Sequence, residues 1–211
     1  MALLPVVSVV ALRWVDPIRT PLMLSRGWTS PACDRVDFEW IDHSALPPHV
    51  GWSALAAEDQ RFWEHQGFDY GSIQQAVQDS RDGRRLRGAS TISQQVAKNL
   101  WLWPQRSWVR KAFEAYLTVW VEALWPKQRI LEIYLNVAQF GSCTFGVEAA
   151  SQRFFQKSAA RLTEHEAARL MTALPAPLSR RPDRPSPALQ RRASQIREQA
   201  RMLERRWPGA L

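Results

Sequence analysis

The chain has 211 residues, 45% of them apolar and 23% charged, and 28 Lys and Arg against 20 Asp and Glu leave a net charge of +8. These figures fit one globular domain and exclude a disordered, collagen-like or low-complexity chain. The basic excess favours polyanions (nucleic acid, anionic lipid or phosphorylated substrates) without choosing among them. Eleven Trp suit cores, interfaces and membrane-surface belts alike.

Residues 1–12, MALLPVVSVVAL, carry no charge. A membrane-spanning helix needs about 20 apolar residues. Two readings therefore stand: the exposed start of a soluble helix, or the outer half of a membrane span. Arg13 and Trp14 follow in the manner of an interface anchor. Residues 13–50 hold Pro17, Pro21, Gly27, Pro31, Pro47 and Pro48 and read as a connecting arm, with a short strand over 36–41. Cys33 and Cys143 lack zinc or CxxC spacing and read as two unrelated thiols.

From Gly51 the pattern turns helical. Leu55, Ala56 and Phe62, then Ile73 and Val77, fit two short helices broken near Gly67. Residues 81–88 (RDGRRLRG) are polar, include two glycines and read as a loop. Ser90 is expected to cap a helix with Ile92, Val96, Ala97 and Leu100 buried, ended by Pro104. Ser107 is expected to cap the next, which runs to about Trp125 with Trp108, Ala112, Ala115, Tyr116, Val119 and Ala123 inward. Pro126 opens a helix carrying Ile130, Ile133, Tyr134 and Val137.

A turn over 141–146 and a helix over 147–155 follow. Thr163 and Glu166 form a capping box before a helix over 167–174. Beyond Pro182, Pro185 and Pro187, an apolar face of Leu189, Ala193, Ile196, Ala200, Leu203 and Trp207 backs onto Arg-rich positions. Nine Arg and three acids lie within 180–211. No run of alternating strands appears, so the expected fold is mainly α. The expected division is an apolar segment over 1–12, an arm over 13–50, a catalytic domain over 51–180 and a basic helix over 181–211.

Three places carry chemistry. Glu58 and Asp59 are adjacent, and successive helical side chains point about 100° apart, so they occupy different environments. Glu58 falls on the apolar stripe, three after Leu55 and four before Phe62. Partial desolvation there raises a carboxyl towards general-base range. The plainer reading is a carboxylate paired with Arg61 or His65.

Next, a glycine leads into Ser90-Thr91-Ile92-Ser93-Gln94-Gln95-Val96-Ala97-Lys98-Asn99. A hydroxyl-rich helix start suits an anion, and Gln94 and Lys98, four apart, can address one ligand. A capped helix with a solvated face is the plainer alternative. Finally, Arg110 and Glu114 form an i, i+4 pair that is either an intrahelical bridge or a carboxylate oriented by a phosphate-holding guanidinium. Glu122 suits helix packing. The four Lys (Lys98, Lys111, Lys127 and Lys157) stand out in an Arg-rich chain. His43, His49, His65 and His165 show no metal-ligand spacing. The inventory suits glycosyl transfer from a phosphorylated sugar, with cations meeting the departing diphosphate, and it equally suits a hydrolase with a single acid or a plain binding site.

Five segments in order resemble the motifs of glycosyltransferase family 51. They are AEDQRFWEHQGFD (57–69), RGASTISQQVAKNLWL (87–102), RSWVRKAFEAYLTVWVE (106–122), RILEIYLNVAQFG (129–141) and the stretch 145–182. The resemblance implies a lysozyme-like helical fold of two lobes around a catalytic cleft. It implies polymerisation of lipid II into β-1,4 glycan strands with inversion and loss of undecaprenyl diphosphate. Glu58 matches the catalytic base and Glu114 the second catalytic glutamate, beside the donor diphosphate, where it would position, hold a divalent cation or assist proton transfer. Lys98 and Arg110 match the diphosphate-binding cations, with Gln95, Ser90, Thr91 and Gln94 near the substrate. Asp59, Phe62, His65 and Gly67 match the supporting part of the first motif.

Mg²⁺ or Mn²⁺ is implied by resemblance alone, and no organic cofactor is expected. Implied partners are lipid II, the nascent glycan, membrane lipid and other wall-synthesis proteins, with no nucleic acid. The implied location is the inner membrane, with the catalytic domain on the periplasmic side. Two other readings compete. A lysozyme-like glycan-cleaving enzyme would use Glu58 as general acid. A non-enzymatic basic module would not depend on Glu58.

Overall fold

The computed structural model describes residues 3–29, 33, 35–83, 90–105 and 107–211, with backbone alone at 3–5 and 26–29. Most of the expected 81–88 loop, together with Gly88, Ala89 and Arg106 of the motifs, lies outside the described residues. The fold is mainly helical. Its α-helices are α1 (Leu3–Leu12), α2 (Pro21–Thr29), α3 (Pro48–Glu58), α4 (Tyr70–Arg81), α5 (Ile92–Trp101), α6 (Trp108–Leu124), α7 (Lys127–Val137), α8 (Val147–Phe155), α9 (Glu164–Met171) and α10 (Pro187–Arg206). Two short strands, β1 (Asp37–Phe38) and β2 (Thr144–Phe145), pair in parallel with Asp37 opposite Thr144.

Local chemistry accounts for most helix boundaries. Pro48 begins α3 and Pro187 begins α10, where a missing N–H costs nothing. Ser107 caps α6, and Thr163 with Glu166 forms the expected capping box on α9. The cap of α5 is Thr91, not Ser90: its hydroxyl accepts from Gln94 N–H while the Gln94 amide reaches back to the Thr91 N–H. Both hydroxyls are competent caps. Thr91 is chosen because its own O–H is held by Gly67 O at 2.7 Å.

One buried cluster runs from Val9 and Met23 through α3, α5 and α7 to Ile196 and Leu203. The expected arm is not featureless, since it contains α2, which packs on α5. Asn136 of α7 clamps this arm, accepting from Ile41 N–H at 2.9 Å and donating to Ile41 O at 2.9 Å. Helix α1 docks on the body: Trp125 donates to Val9 O and Trp101 to Ser8 Oγ, each at 2.8 Å. Arg129 donates to Leu12 O, a cation at the negative end of α1. No described helix is long and apolar enough to cross a membrane.

Two expectations are corrected. The inward face of α6 is Glu114, Leu117, Thr118 and Val121. Trp108, Ala112, Tyr116, Val119 and Ala123 are exposed, Trp108 at 90%. The periodic stripe is real but faces outward, because the opposite face already meets α5. Cys33 and Cys143 are not unrelated thiols but a disulfide, with Cα atoms 5.5 Å apart across 110 residues. The β1–β2 pairing brings them together, with Asp37 N–H donating to Cys143 O at 2.8 Å.

Candidate active site

Glu58 is the last residue of α3, and the chain turns sharply at Asp59. The two carboxylates then part company. Asp59 is buried and works as scaffold. It accepts the backbone N–H of Ile92, at the start of α5, at 3.0 Å, and His65 Nε2 at 3.0 and 3.1 Å. Gly67 N–H donates to His65 Nδ1 at 3.1 Å, so the imidazole proton sits on Nε2 and points at Asp59. Gly67 is in the left-handed region (φ +86°), and a Cβ there would lie 2.7 Å from Thr118 Cγ2. Phe62 is fully buried beneath this turn, with Lys127 Nζ 4.5 Å from its ring centre. Lys127 also donates to His65 O and to Glu122, and Glu122 accepts from Ser93. Glu122 is therefore a packing carboxylate, as its position suggested.

This scaffold sets α5 beside the end of α3. Gln95 Nε2 donates to Glu58 Oε2 at 2.9 Å. Glu58 pairs with neither Arg61 nor His65: Arg61 bridges Glu64 and Asp69, and His65 holds Asp59. Burial pushes the Glu58 carboxyl up from its ordinary value. The Gln95 hydrogen bond and the charges of Lys98 and Arg192 pull against that rise, and Asp59 adds to it.

Beyond Gln95 opens a cavity of about 420 Å³, lined by Ser90, Gln94, Gln95, Lys98 and Asn99 on one side and by Arg110, Lys111 and Glu114 on the other. Leu22, Leu102, Trp103, Pro104 and Gln139 complete its wall. Glu58 is not a wall residue; Gln95 connects it to the cavity. Lys98 makes no ion pair among the described residues. Burial lowers its ammonium pKa, Glu114 and Glu58 raise it, and Arg110 and Lys111 lower it further.

Glu114 is 3% exposed, with one oxygen held by Arg110 at 2.8 Å and the other by Lys111. Arg110 Nε is buried without a partner among the described residues. Three cations therefore face one cavity around a single neutralising carboxylate. Such a site suits a group carrying several negative charges, as a diphosphate does. The described residues offer no ready-made cage for a resident Mg²⁺ or Mn²⁺. Both Glu114 oxygens are engaged by cations, and the described residues hold no cluster of three His, Cys, Asp or Glu placed to bind a metal.

The structure brings Glu58, Gln95, Lys98, Arg110, Glu114, Gln94 and Ser90 to one region. Thr91 is buried and serves as a cap and a tether for Gly67. Two further residues reach the site. Lys111 stands out in the sequence as one of four Lys, and its spacing, three before Glu114, could have placed it there. Arg192 is 134 positions from Glu58, and no local pattern points to it.

Similar proteins match this chain over most of its length. A biosynthetic peptidoglycan transglycosylase of Xylella fastidiosa (strain 9a5c) is 46% identical over 207 residues, covering 96% of this chain and 85% of that one. One from Ectopseudomonas mendocina (strain ymp) is 47% identical over 198 residues, covering 92% and 82%. One from Xanthomonas campestris pv. campestris (strain B100) is 46% identical over 202 residues, covering 94% and 82%. Residues 28–201 match the transglycosylase family, and the chain belongs to it.

Proposed function

We propose that this chain is a peptidoglycan glycosyltransferase that polymerises lipid II into glycan strands. One observation carries the residue assignments: a desolvated carboxylate, Glu58, is joined through Gln95 to a cavity walled by Lys98, Arg110 and Lys111. Glu58 takes the proton of the acceptor 4-hydroxyl. That oxygen forms the new bond to the donor anomeric carbon from the face opposite the diphosphate. The anomeric C–O bond breaks, and its electron pair leaves with the undecaprenyl diphosphate. The three cations meet the charge developing on that leaving group, and an α-linked donor becomes a β-1,4 product. Glu114 orients Arg110 and Lys111 rather than reacting.

Lipid-linked substrate calls for a lipid surface. The outer face of α6 (Trp108, Val109, Phe113, Tyr116 and Val119) and the exposed Trp14, Val15 and Ile18 supply apolar area suited to the inner membrane. The disulfide supports an oxidising compartment, as on the periplasmic side. Other wall-synthesis proteins are the partners this role calls for.

The raised Glu58 pKa also suits a general acid, which keeps a lysozyme-like glycan-cleaving activity as the second reading. Cleavage, however, gives the cationic wall no diphosphate to hold. Incubation with labelled lipid II separates the two. Polymer formation, lost in Glu58→Gln with unchanged far-UV circular dichroism, is expected. Cleavage of finished glycan with no polymer from lipid II overturns the proposal, and retained polymerisation by Glu58→Gln overturns the base assignment.

A further inference from the structure

Helix α10 lies beyond the motif-bearing helices, yet it packs closely on α3 and α9. Ala193, Ile196, Ala200 and Leu203 are its buried face. This packing sets Arg192, one residue before Ala193, at the C-terminal end of α3. There its Nη2 donates to Ala57 O at 3.3 Å. Ala57 precedes Glu58, and the last carbonyls of a helix lack intrahelical donors. That end also carries the negative pole of the helix, which opposes a negative charge on Glu58. A guanidinium at this point supplies a donor and a positive charge together. It is partly exposed, so it is not consumed by packing.

We propose that Arg192 is a positioning residue for glycosyl transfer: seated on the last turn of α3, it counters the negative helix end and holds the Glu58 carboxylate ready to accept the acceptor proton. The inference rests on the assignment of Glu58 as base. Arg192 acts through Glu58 and does not belong to the diphosphate wall, whose residues come from α5 and α6.

The groups acting on Glu58 come from several helices. Asp59 follows on α3, Gln95 and Lys98 come from α5, Arg192 from α10, and the buried Tyr134 phenol from α7, its own pKa raised by burial and by both carboxylates. On α9 and α7, which also meet α3, the other charges are engaged elsewhere or exposed, while on α10 itself the Arg197 Nε is buried and has no partner among the described residues. On α9, Glu164 meets Arg201, Glu166 meets Lys157 and Arg169 donates to Pro182 O, while His165 is exposed. On α7, Glu132 meets Arg129 and Lys127 meets Glu122. Lys98 and Arg192 are thus the two cations that favour the ionised base, and they stand on separate helices.

The test is the pH dependence of kcat/KM for lipid II polymerisation by the full chain carrying Arg192→Gln or Arg192→Lys. With one favourable charge gone, the Gln variant is expected to shift its acidic limb upward by about 0.5–1 pH unit. Activity at pH well below the wild-type limb should then fall about three- to tenfold. Affinity for a diphosphate-containing inhibitor should stay at the wild-type value. The Lys variant keeps the charge and should restore the limb. An unmoved limb in Arg192→Gln overturns the inference, as does a Lys variant that behaves like Gln. If the Gln variant does not fold, the Lys variant decides: its limb must coincide with that of wild type. Active Glu58→Gln would instead defeat the base assignment itself, so the two failures are distinguishable.

Discussion

The carboxylate of Asp59 receives the backbone N–H of Ile92 at 3.0 Å, fastening the end of α3 to the start of α5. This bond, between residues 33 apart, puts Gln95 within 2.9 Å of Glu58 and aims Lys98 into the same region. The neighbouring acids divide the work: Asp59 holds the frame, and Glu58 is left beside the cavity with one amide partner.

The acid limb of activity should report Glu58. Its folded pKa lies above the ordinary 4.5 because burial disfavours the charge. The ionised base is lost as pH falls through that raised value, so half-maximal kcat/KM on the acid side is expected above 4.5. Stability has the opposite sign. Ionising a carboxyl with a raised folded pKa costs stability as pH rises from 4.5 through the folded value. Glu58→Gln should therefore keep or raise the neutral-pH melting temperature while abolishing polymerisation. A variant markedly less stable at neutral pH would contradict this.

Arg110→Ala should weaken the diphosphate site. Arg110 and Lys111 each hold one oxygen of the buried Glu114, and both line the cavity. Losing a charge-assisted donor costs about 1.5–3 kcal/mol, or roughly ten- to a hundredfold in affinity. Binding of a diphosphate-containing inhibitor measures it. Arg110→Lys should recover only part, because an ammonium lacks the two-pronged fork. Wild-type affinity in Arg110→Ala would remove this residue from the site.

Gly67→Ala should destabilise the turn below the base. The backbone there has φ +86°, and the new Cβ would sit 2.7 Å from Thr118 Cγ2. Strain of this kind costs about 1–3 kcal/mol. For a domain of this size that is about 2–4 °C of melting temperature per kcal/mol. The Thr91–Gly67 bond should loosen too, so activity should drop alongside. An unchanged melting curve would show that the turn tolerates a side chain.

Reducing the Cys33–Cys143 disulfide should lower stability by about 2–5 kcal/mol, since it closes a loop of 110 residues. Denaturant midpoints with and without reductant, and in Cys33→Ser/Cys143→Ser, should differ accordingly. Two titratable thiols in the untreated protein, with equal midpoints, would count against the bond.

Much of this molecule is legible in the chain because its causes are local. The 3.6-residue periodicity marks the buried stripes of α5, α7 and α10. Proline and hydroxyl chemistry mark where helices begin, whereas Glu58 and Asp59, expected to part by 100° per residue, are separated instead by the end of α3 between them. Ordered motifs single out Glu58, Lys98 and Arg110, the residues proposed as base and cations. Other features depend on which surfaces meet. Periodicity finds an apolar face on α6 but not what covers it, and the stripe of Trp108, Tyr116 and Val119 turns outward because Glu114, Leu117 and Val121 meet the body. Thr91 wins the cap of α5 from Ser90 through a bond to Gly67. Cys33 finds Cys143 through two short strands, and Arg192 reaches Ala57 because α10 folds back onto α3. Long-range contacts like these are selected by packing the whole chain at once, and no window of sequence contains both partners.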